Sequence, residues 1–197
     1  LLNEKFSRQG FLYGLEPNHF IASCVSRFPK GGHVLCLGEG EGRNAIHLAK
    51  EGFKVEALDA SDVGLKKLQQ RANEADLSII MRHTMLEYWE APYLYDVIVS
   101  SFLHLTKNKQ RLFFQKSLDA LKEGGLFVCE VFSTKQLAYT SGGPKDINLL
   151  YDFVPLYTLL NDLPCTILTI SEEVIELHEG SGHEGKGCVI RVVLEKK

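Results

Sequence analysis

Residues 34–49 read VLCLGEGEGRNAIHLA, and few folds accommodate that stretch. HVLCLG (33–38) is an apolar run short enough for a buried strand. Glycines follow at 38, 40 and 42, and from Arg43 to Glu51 the residues Ala45, Ile46, Leu48 and Ala49 recur at helical spacing until Gly52 stops them. A buried strand that turns through glycines into an amphipathic helix is the first half of a βαβ unit. The rest of the chain repeats the rhythm. KVEALDA (54–60) is a second strand, and Ser61 caps a helix to about Ala75 that buries Val63, Leu65, Leu68 and Ala72. LSIIM (77–81) and YDVIVSSF (95–102) are strands three and four. A helix runs from Asn108 to Lys122, stopped by Gly124 and Gly125, and GLFVCEVFS (125–133) is strand five.

Strands this apolar, alternating with helices, imply a parallel sheet covered on both faces. The C-terminal third departs from the pattern. CTILTISEEVIEL (165–177) and GCVIRVVLE (187–195) are two β-rich runs joined by the glycine-rich HEGSGHEGK, a hairpin that ends the sheet in an antiparallel strand. There is no repeat or linker, so one domain is expected over residues 1–197. It divides into an N-terminal segment and helix (1–30), a cofactor-binding core (31–133), and a loop with the C-terminal hairpin (134–197).

In an open α/β sheet a ligand lies beyond the carboxyl ends of the strands, at the first strand–helix turn. A dinucleotide fingerprint needs a small residue at position 43, where this chain has arginine. Glu39 and Glu41 also sit inside the loop, and carboxylates oppose a pyrophosphate at a helix N-terminus. A cationic ligand reverses that argument, and S-adenosylmethionine carries a sulfonium and an ammonium against one carboxylate. Asp59 ends the second strand 21 residues after Gly38, where a carboxylate can accept both ribose hydroxyls. NAD sites use an acidic residue there too, so Asp59 identifies the ribose and the loop selects the cofactor.

With these residues the chain resembles class I S-adenosylmethionine-dependent methyltransferases, in the branch similar to tellurite-resistance and thiopurine-type small-molecule enzymes. The resemblance rests on FLYGLEPNHF (11–20), VLCLGEGEGRNAIHLA (34–49), VEALDAS (55–61), YDVIVSSFLHL (95–105), LKEGGLFVCEVF (121–132) and GGP (142–144). It implies a three-layer Rossmann-like fold with seven strands in the order 3-2-1-4-5-7-6, strand 7 antiparallel. Carried over by position, Gly38, Gly40 and Gly42 bring the backbone to the methionine part, Tyr13, Glu39 and Asn44 also bind the cofactor, and Asp59 takes the ribose. Ala60, Thr84, Met85 and Leu86 enclose the adenine, and Ser100 faces the methionine part. Many relatives have an aspartate after strand three for the adenine amino group; here Arg82-His83-Thr84-Met85 stands instead, leaving backbone, Thr84 or Glu87 to hold it. The segment 11–18 is implied to fold over the cofactor with Tyr13 toward the methyl donor, although it also reads as a plain helix cap starting near Pro17. Asn18, His104, Gly143 and His183 are the candidate acceptor-binding residues, and Tyr13 and His104 the candidate catalytic ones.

Methyl transfer is an in-line displacement on an activated carbon, so alignment supplies much of the rate and a base is needed only for a protonated nucleophile. His104 has the ordinary chemistry for that base, and a satisfied polar residue is the plainer reading. HEGSGHEG (178–185) is no zincin motif, because its histidines are five apart among glycines, and a flexible hairpin turn is expected with no metal. Five dispersed cysteines form no C-x-x-C pair, and Cys36, Cys129 and Cys188, in apolar strand-like runs, read as core residues of a cytoplasmic protein. A net charge of −3 without a basic cluster offers nothing to a nucleic-acid backbone. No apolar run approaches a membrane span, LLNEKFSRQG lacks a signal peptide's apolar stretch, and the start at Leu1 points to trimming. The expected partner is a small-molecule substrate, bound by a monomer. A non-catalytic S-adenosylmethionine binder and an NAD(P)-dependent oxidoreductase remain as alternatives.

Overall fold

Seven strands form one sheet in the order β3-β2-β1-β4-β5-β7-β6, as the family resemblance implies. The computed structural model describes residues 2–197. β1 (His33–Leu37), β2 (Lys54–Asp59), β3 (Ile79–His83), β4 (Tyr95–Ser101) and β5 (Leu121–Phe132) pair in parallel. β7 (His183–Lys196) runs antiparallel to both β5 and β6 (Cys165–Glu179).

Alternation along β1 shows how the layers are built. Leu35 and Leu37 face a core shared with Phe113 and Phe114 of α5 (Lys107–Asp119) and Leu156 of α6 (Phe153–Asn161). Val34 and Cys36 face the other core. That one is made with Ile21 of α2 (His19–Cys24), Ile46 of α3 (Arg43–Lys50) and Leu65 and Leu68 of α4 (Asp62–Glu74). Each central strand is buried on both sides because helices cover both faces, which is why its sequence is apolar without a break.

Ser61 caps α4 as expected, its hydroxyl accepting from the Gly64 amide at 3.1 Å. Several boundaries differ from the sequence reading. β3 starts at Ile79 because the Leu77 amide donates to Ala72 at 2.8 Å and belongs to the end of α4. α5 ends at Asp119, and β5 begins at Leu121, which pairs with Tyr95 across a bulge, so Gly124 and Gly125 lie inside β5. Asn18, one residue beyond Pro17, caps α2 by accepting from the Ile21 amide at 3.0 Å. A short helix with no sequence signal, α1 (Leu2–Phe6), precedes them all.

The hairpin is tighter than its composition suggests. β6 and β7 stay in register from Glu179↔His183 to Thr169↔Val193, where a bulge follows, and a single turn of 3₁₀ helix at Gly180–Gly182 joins them. The expected flexible loop is instead packed. Gly182 donates to the Leu12 carbonyl at 2.9 Å, and a side chain on Gly180 would meet the Gly14 amide at 2.5 Å.

Candidate functional site

Beyond the carboxyl ends of β1, β2 and β4 lies a cavity of about 580 Å³, a size suited to a cofactor-sized ligand. The glycine loop forms its floor. Gly42 has φ 88° and packs so closely on α4 that a Cβ would stand 2.1 Å from Leu68. Gly40 has φ 58°, and a Cβ there would collide with the Phe6 ring of α1. The bare backbone is therefore required by the packing of the loop itself.

The two loop carboxylates separate in role. Glu39 turns back under α3, accepting from the Ala45 amide at 2.7 Å, so it serves as the cap that Gly42 cannot provide. Burial raises it to about 7, against the Ala45 amide and the Arg43 charge. A buried carboxylate held near neutrality on the cavity floor is suited to a cationic ligand, whose charge would favour its ionised form. Glu41 holds Lys67 at 2.7 Å and the Leu12 amide at 2.8 Å, so it ties residues 11–14 onto the core. Asp59 accepts from the Gly40 and Ser61 amides, each at 2.7 Å. Burial raises it, against those two bonds. Each of its oxygens keeps a second lone pair for a ligand hydroxyl.

Most candidate residues meet on this cavity: Tyr13, Gly38, Glu39, Gly40, Gly42, Asp59, Ala60, Thr84, Met85, Leu86, His104, Gly143 and His183 all line it. Glu87 lines it as well, with its carboxylate on Lys109 at 2.8 Å. Asn18, Asn44 and Ser100 lie behind the wall. Ser100 donates to the Leu37 carbonyl at 2.9 Å, and Asn44 joins the Asn18 amide to the Ser101 hydroxyl. Asn18 donates to Glu130 at 2.8 Å and to Glu179 at 3.0 Å. These three are buried, bond protein partners and do not line the cavity.

Asn18 belongs to a buried charged network. Arg43 meets Glu179 at 2.9 Å, and Arg191 meets Glu130 at 2.6 Å. Burial works against the charge on Glu179, yet His183 and Arg43 together bring it down to about 2. His183 is itself lowered by burial, with Glu179 opposing. An ionised carboxylate only accepts, so the neutral His183 donates from Nδ1 to Glu179 at 3.1 Å. The two hairpin histidines thus point apart, since His178 is exposed beside Glu184.

Nothing in the sequence marked Lys5 or Phe6. Both line the cavity, and the Lys5 ammonium stands 4.8 Å over the Tyr13 ring, which rests on His183 at 4.5 Å. The Tyr13 ring, implied to lie toward the methyl donor, thus already carries a cation of the protein. Phe102, just past the end of β4, has φ 55°, a strained conformation for a residue with a Cβ.

Residues 34–125 match the family model described as "Methyltransferase domain". A ubiquinone biosynthesis O-methyltransferase of Rickettsia typhi is 29% identical over 110 residues, 55% of this chain and 44% of that protein. A sarcosine/dimethylglycine N-methyltransferase of Aphanothece halophytica is 32% identical over 112 residues, 55% of this chain and 40% of that protein. The chain spans 40 to 60% of the length of the curated relatives it matches. In fold it is similar to TehB from Haemophilus influenzae, with a TM-score of 0.74 at 19% identity over 100% of this chain and 66% of that one. It is also similar to the magnesium protoporphyrin IX methyltransferase of Synechocystis PCC 6803, solved with bound SAH, with a TM-score of 0.73 at 15% identity over 100% of this chain and 98% of that one. The sheet order, the glycine loop within the matched residues and these likenesses converge: residues 34–125 match a methyltransferase domain, and the chain has the fold of TehB and of S-adenosylmethionine-dependent methyltransferases of known structure.

Proposed function

We propose that the chain binds S-adenosylmethionine in this cavity and methylates a small-molecule acceptor. The observation that carries the reading is Glu39, a buried carboxylate near neutrality on the floor of a glycine loop, where a pyrophosphate would be opposed and a cation favoured. When bound, the cofactor supplies a methyl carbon already activated by its sulfonium.

The protein's part is placement and exclusion of water. The backbone at Gly38, Gly40 and Gly42 meets the methionine part, and Asp59 takes the ribose hydroxyls. Ala60, Met85 and Leu86 enclose the adenine, with Thr84 and the backbone providing its hydrogen bonds in place of an aspartate. Tyr13 and Gly14, held down by Glu41 and by the hairpin turn, cover the site. The acceptor enters between Gly143, His104 and His183. Its small size follows from the room available, since Tyr13, Gly14, Gly143 and His183 line a cavity of about 580 Å³ that the acceptor shares with the cofactor.

Titration calorimetry with S-adenosylmethionine, S-adenosylhomocysteine and NADH tests the cofactor. Binding of the first two without the third is expected, and the reverse would replace the reading with an oxidoreductase. Release of S-adenosylhomocysteine across a panel of small acceptors separates an enzyme from a protein that only binds the cofactor.

A further inference from the structure

Among the described residues, the charged side chains that line the cavity sort by what they meet. Glu39 caps α3, Glu41 holds Lys67, and Arg43 holds Glu179. Glu87 holds Lys109 at 2.8 Å. Asp59 stands beside the glycine loop, bonded to the Gly40 amide. Lys5 lies on the rings of Tyr13 and Phe6, at 4.8 and 5.5 Å. None of them belongs to the turn after β4 or to the loop at Gly143, the two stretches between which the acceptor was placed above.

Those two stretches present carbon. Phe102, Leu103 and Leu105 line the cavity from the first, with His104 among them, and Pro144 and Leu149 line it from the second. Lys145 and Asp146, the charged residues between Pro144 and Leu149, are exposed and do not line it. Phe132 backs both stretches. It is buried, packs on Phe102 at 4.5 Å, and would stand 2.8 Å from a Cβ on Gly143, so the loop lies directly against its ring. The two histidines at this end are held by the same rings. His104 stacks on Phe132 at 5.7 Å with the planes 11° apart, and His183 lies 4.5 Å from Phe102. Burial disfavours the charged form of both.

We infer that the methyl acceptor is an uncharged organic compound whose apolar body rests on Phe102, Leu103, Leu105, Pro144 and Leu149, and that an inorganic oxyanion or a zwitterion is rejected at this wall. The inference rests on the methyltransferase reading above and names its substrate class.

Desolvation decides between the classes. An ion that leaves water for an apolar wall loses its hydration and needs a counter-charge or hydrogen bonds in return. The cations nearby are committed. Drawing Arg43 or Lys109 toward an anion would leave Glu179 or Glu87 without its partner. The remaining cation, Lys5, is engaged by two rings and is not part of the wall. An apolar body has no such cost, because it removes its own carbon and that of the wall from water together.

The test is titration calorimetry on the full chain saturated with S-adenosylhomocysteine. Phenol, 4-ethylphenol and 4-butylphenol share one hydroxyl and differ only in carbon, so affinity should rise about fourfold for each methylene that the wall covers. Selenite and sarcosine, probes for an oxyanion and a zwitterion, should not bind at millimolar concentration. Leu149→Asp should weaken 4-butylphenol at least tenfold. The milder Leu149→Ala should weaken it at least threefold, and keeps the test intact if the aspartate variant does not fold. Both should hold S-adenosylhomocysteine within twofold of the parent affinity. Equal affinity for the three phenols, no binding of any of them, binding of selenite or sarcosine at that concentration, or unchanged 4-butylphenol affinity in Leu149→Ala would each overturn the inference. Failure of the parent protein to bind S-adenosylhomocysteine would instead overturn the cofactor reading beneath it.

Discussion

Asn18 is 1% exposed and joins three parts of the chain, so its replacement has a cost that can be worked out. Its side chain caps α2 through the Ile21 amide and donates to Glu130 and Glu179. In Asn18→Ala the lost cap costs about 1 kcal/mol. The two bonds to carboxylates cost about 1.5 kcal/mol each at the low end of their range. Partners within one network do not add fully, and Glu130 keeps Arg191 while Glu179 keeps Arg43. A net loss of about 3 kcal/mol follows, or roughly 6–12 °C in Tm for a chain of this size. Asn18→Asp sharpens the test. Aspartate is as good a cap as asparagine, but it cannot donate, and it adds a third carboxylate where two already stand within 3.0 Å of the position. It should therefore be less stable than Asn18→Ala at pH 7. The folded state raises the pKa of that aspartate above its unfolded value, so the folded form binds more protons and the deficit should shrink as pH falls. Urea titrations of the three proteins at pH 5 and 7 give both the order and its pH dependence. An aspartate variant at least as stable as the alanine variant at pH 7, or a loss below about 1 kcal/mol in Asn18→Ala, would refute the network account.

Asp59→Ala should weaken S-adenosylhomocysteine by about 1.5–3 kcal/mol, the scale of hydrogen bonds to a charged group, and calorimetry showing unchanged affinity in a folded variant would remove Asp59 from the ribose site. Glu39 is raised from 4.5 to about 7, so without ligand the protein should lose stability as pH rises across that interval. Glu39→Gln should flatten this slope in chemical denaturation, and an unaltered slope would show that another group produces it. Glu179 has the opposite sign: its contribution is complete above 4.5 and is lost as pH falls toward about 2. Glu179→Gln should therefore lower stability at pH 7 and make the acid limb shallower, and a variant melting in parallel with the parent from pH 5 to 2 would contradict this. Glu41→Gln should speed amide exchange in residues 11–14 through its weakened hold on Lys67 and Leu12, and S-adenosylhomocysteine should slow that exchange again. Equal exchange in both proteins, with and without ligand, would leave those residues as a fixed cap.

What could be read from the sequence was whatever is fixed by neighbours along the chain. Gly38, Gly40, Gly42 and Asp59 declared themselves because a strand, a turn and a following strand set their spacing. Ser61 did so because a cap acts within three residues. Asn18, Asn44 and Ser100 were misplaced because their partners are remote: Asn18 finds Glu179 across 161 positions, and Arg43 finds it across 136. No local pattern reports such a pairing. Lys5 and Phe6 escaped for another reason. A helix of five residues has too little periodicity to detect, and Phe6 is held by a groove that exists only after Gly40 has taken its left-handed turn. The start of β5 at Leu121 was likewise set by its register with Tyr95, against the expectation that Gly124 and Gly125 end the helix.

The hydrogen bond from Gly182 to Leu12 bears on the order in which the molecule is assembled. During synthesis the glycine loop and β1 to β5 are complete once Phe132 has emerged, and their contacts can form among themselves. The stretch at Leu12 and Tyr13 leaves the ribosome before the glycine loop, yet its seat is made from Glu179 to His183, which emerge only after β5. Until then the nascent chain holds a floor without a roof: Glu41 and Lys5 are already in place, but the Tyr13 ring lacks His183 and the Leu12 carbonyl lacks Gly182. A ribosome-stalled chain ending near residue 160 should therefore show protease-resistant β1–β5 with a cleavable N-terminal stretch, whereas release of the full chain should protect both together.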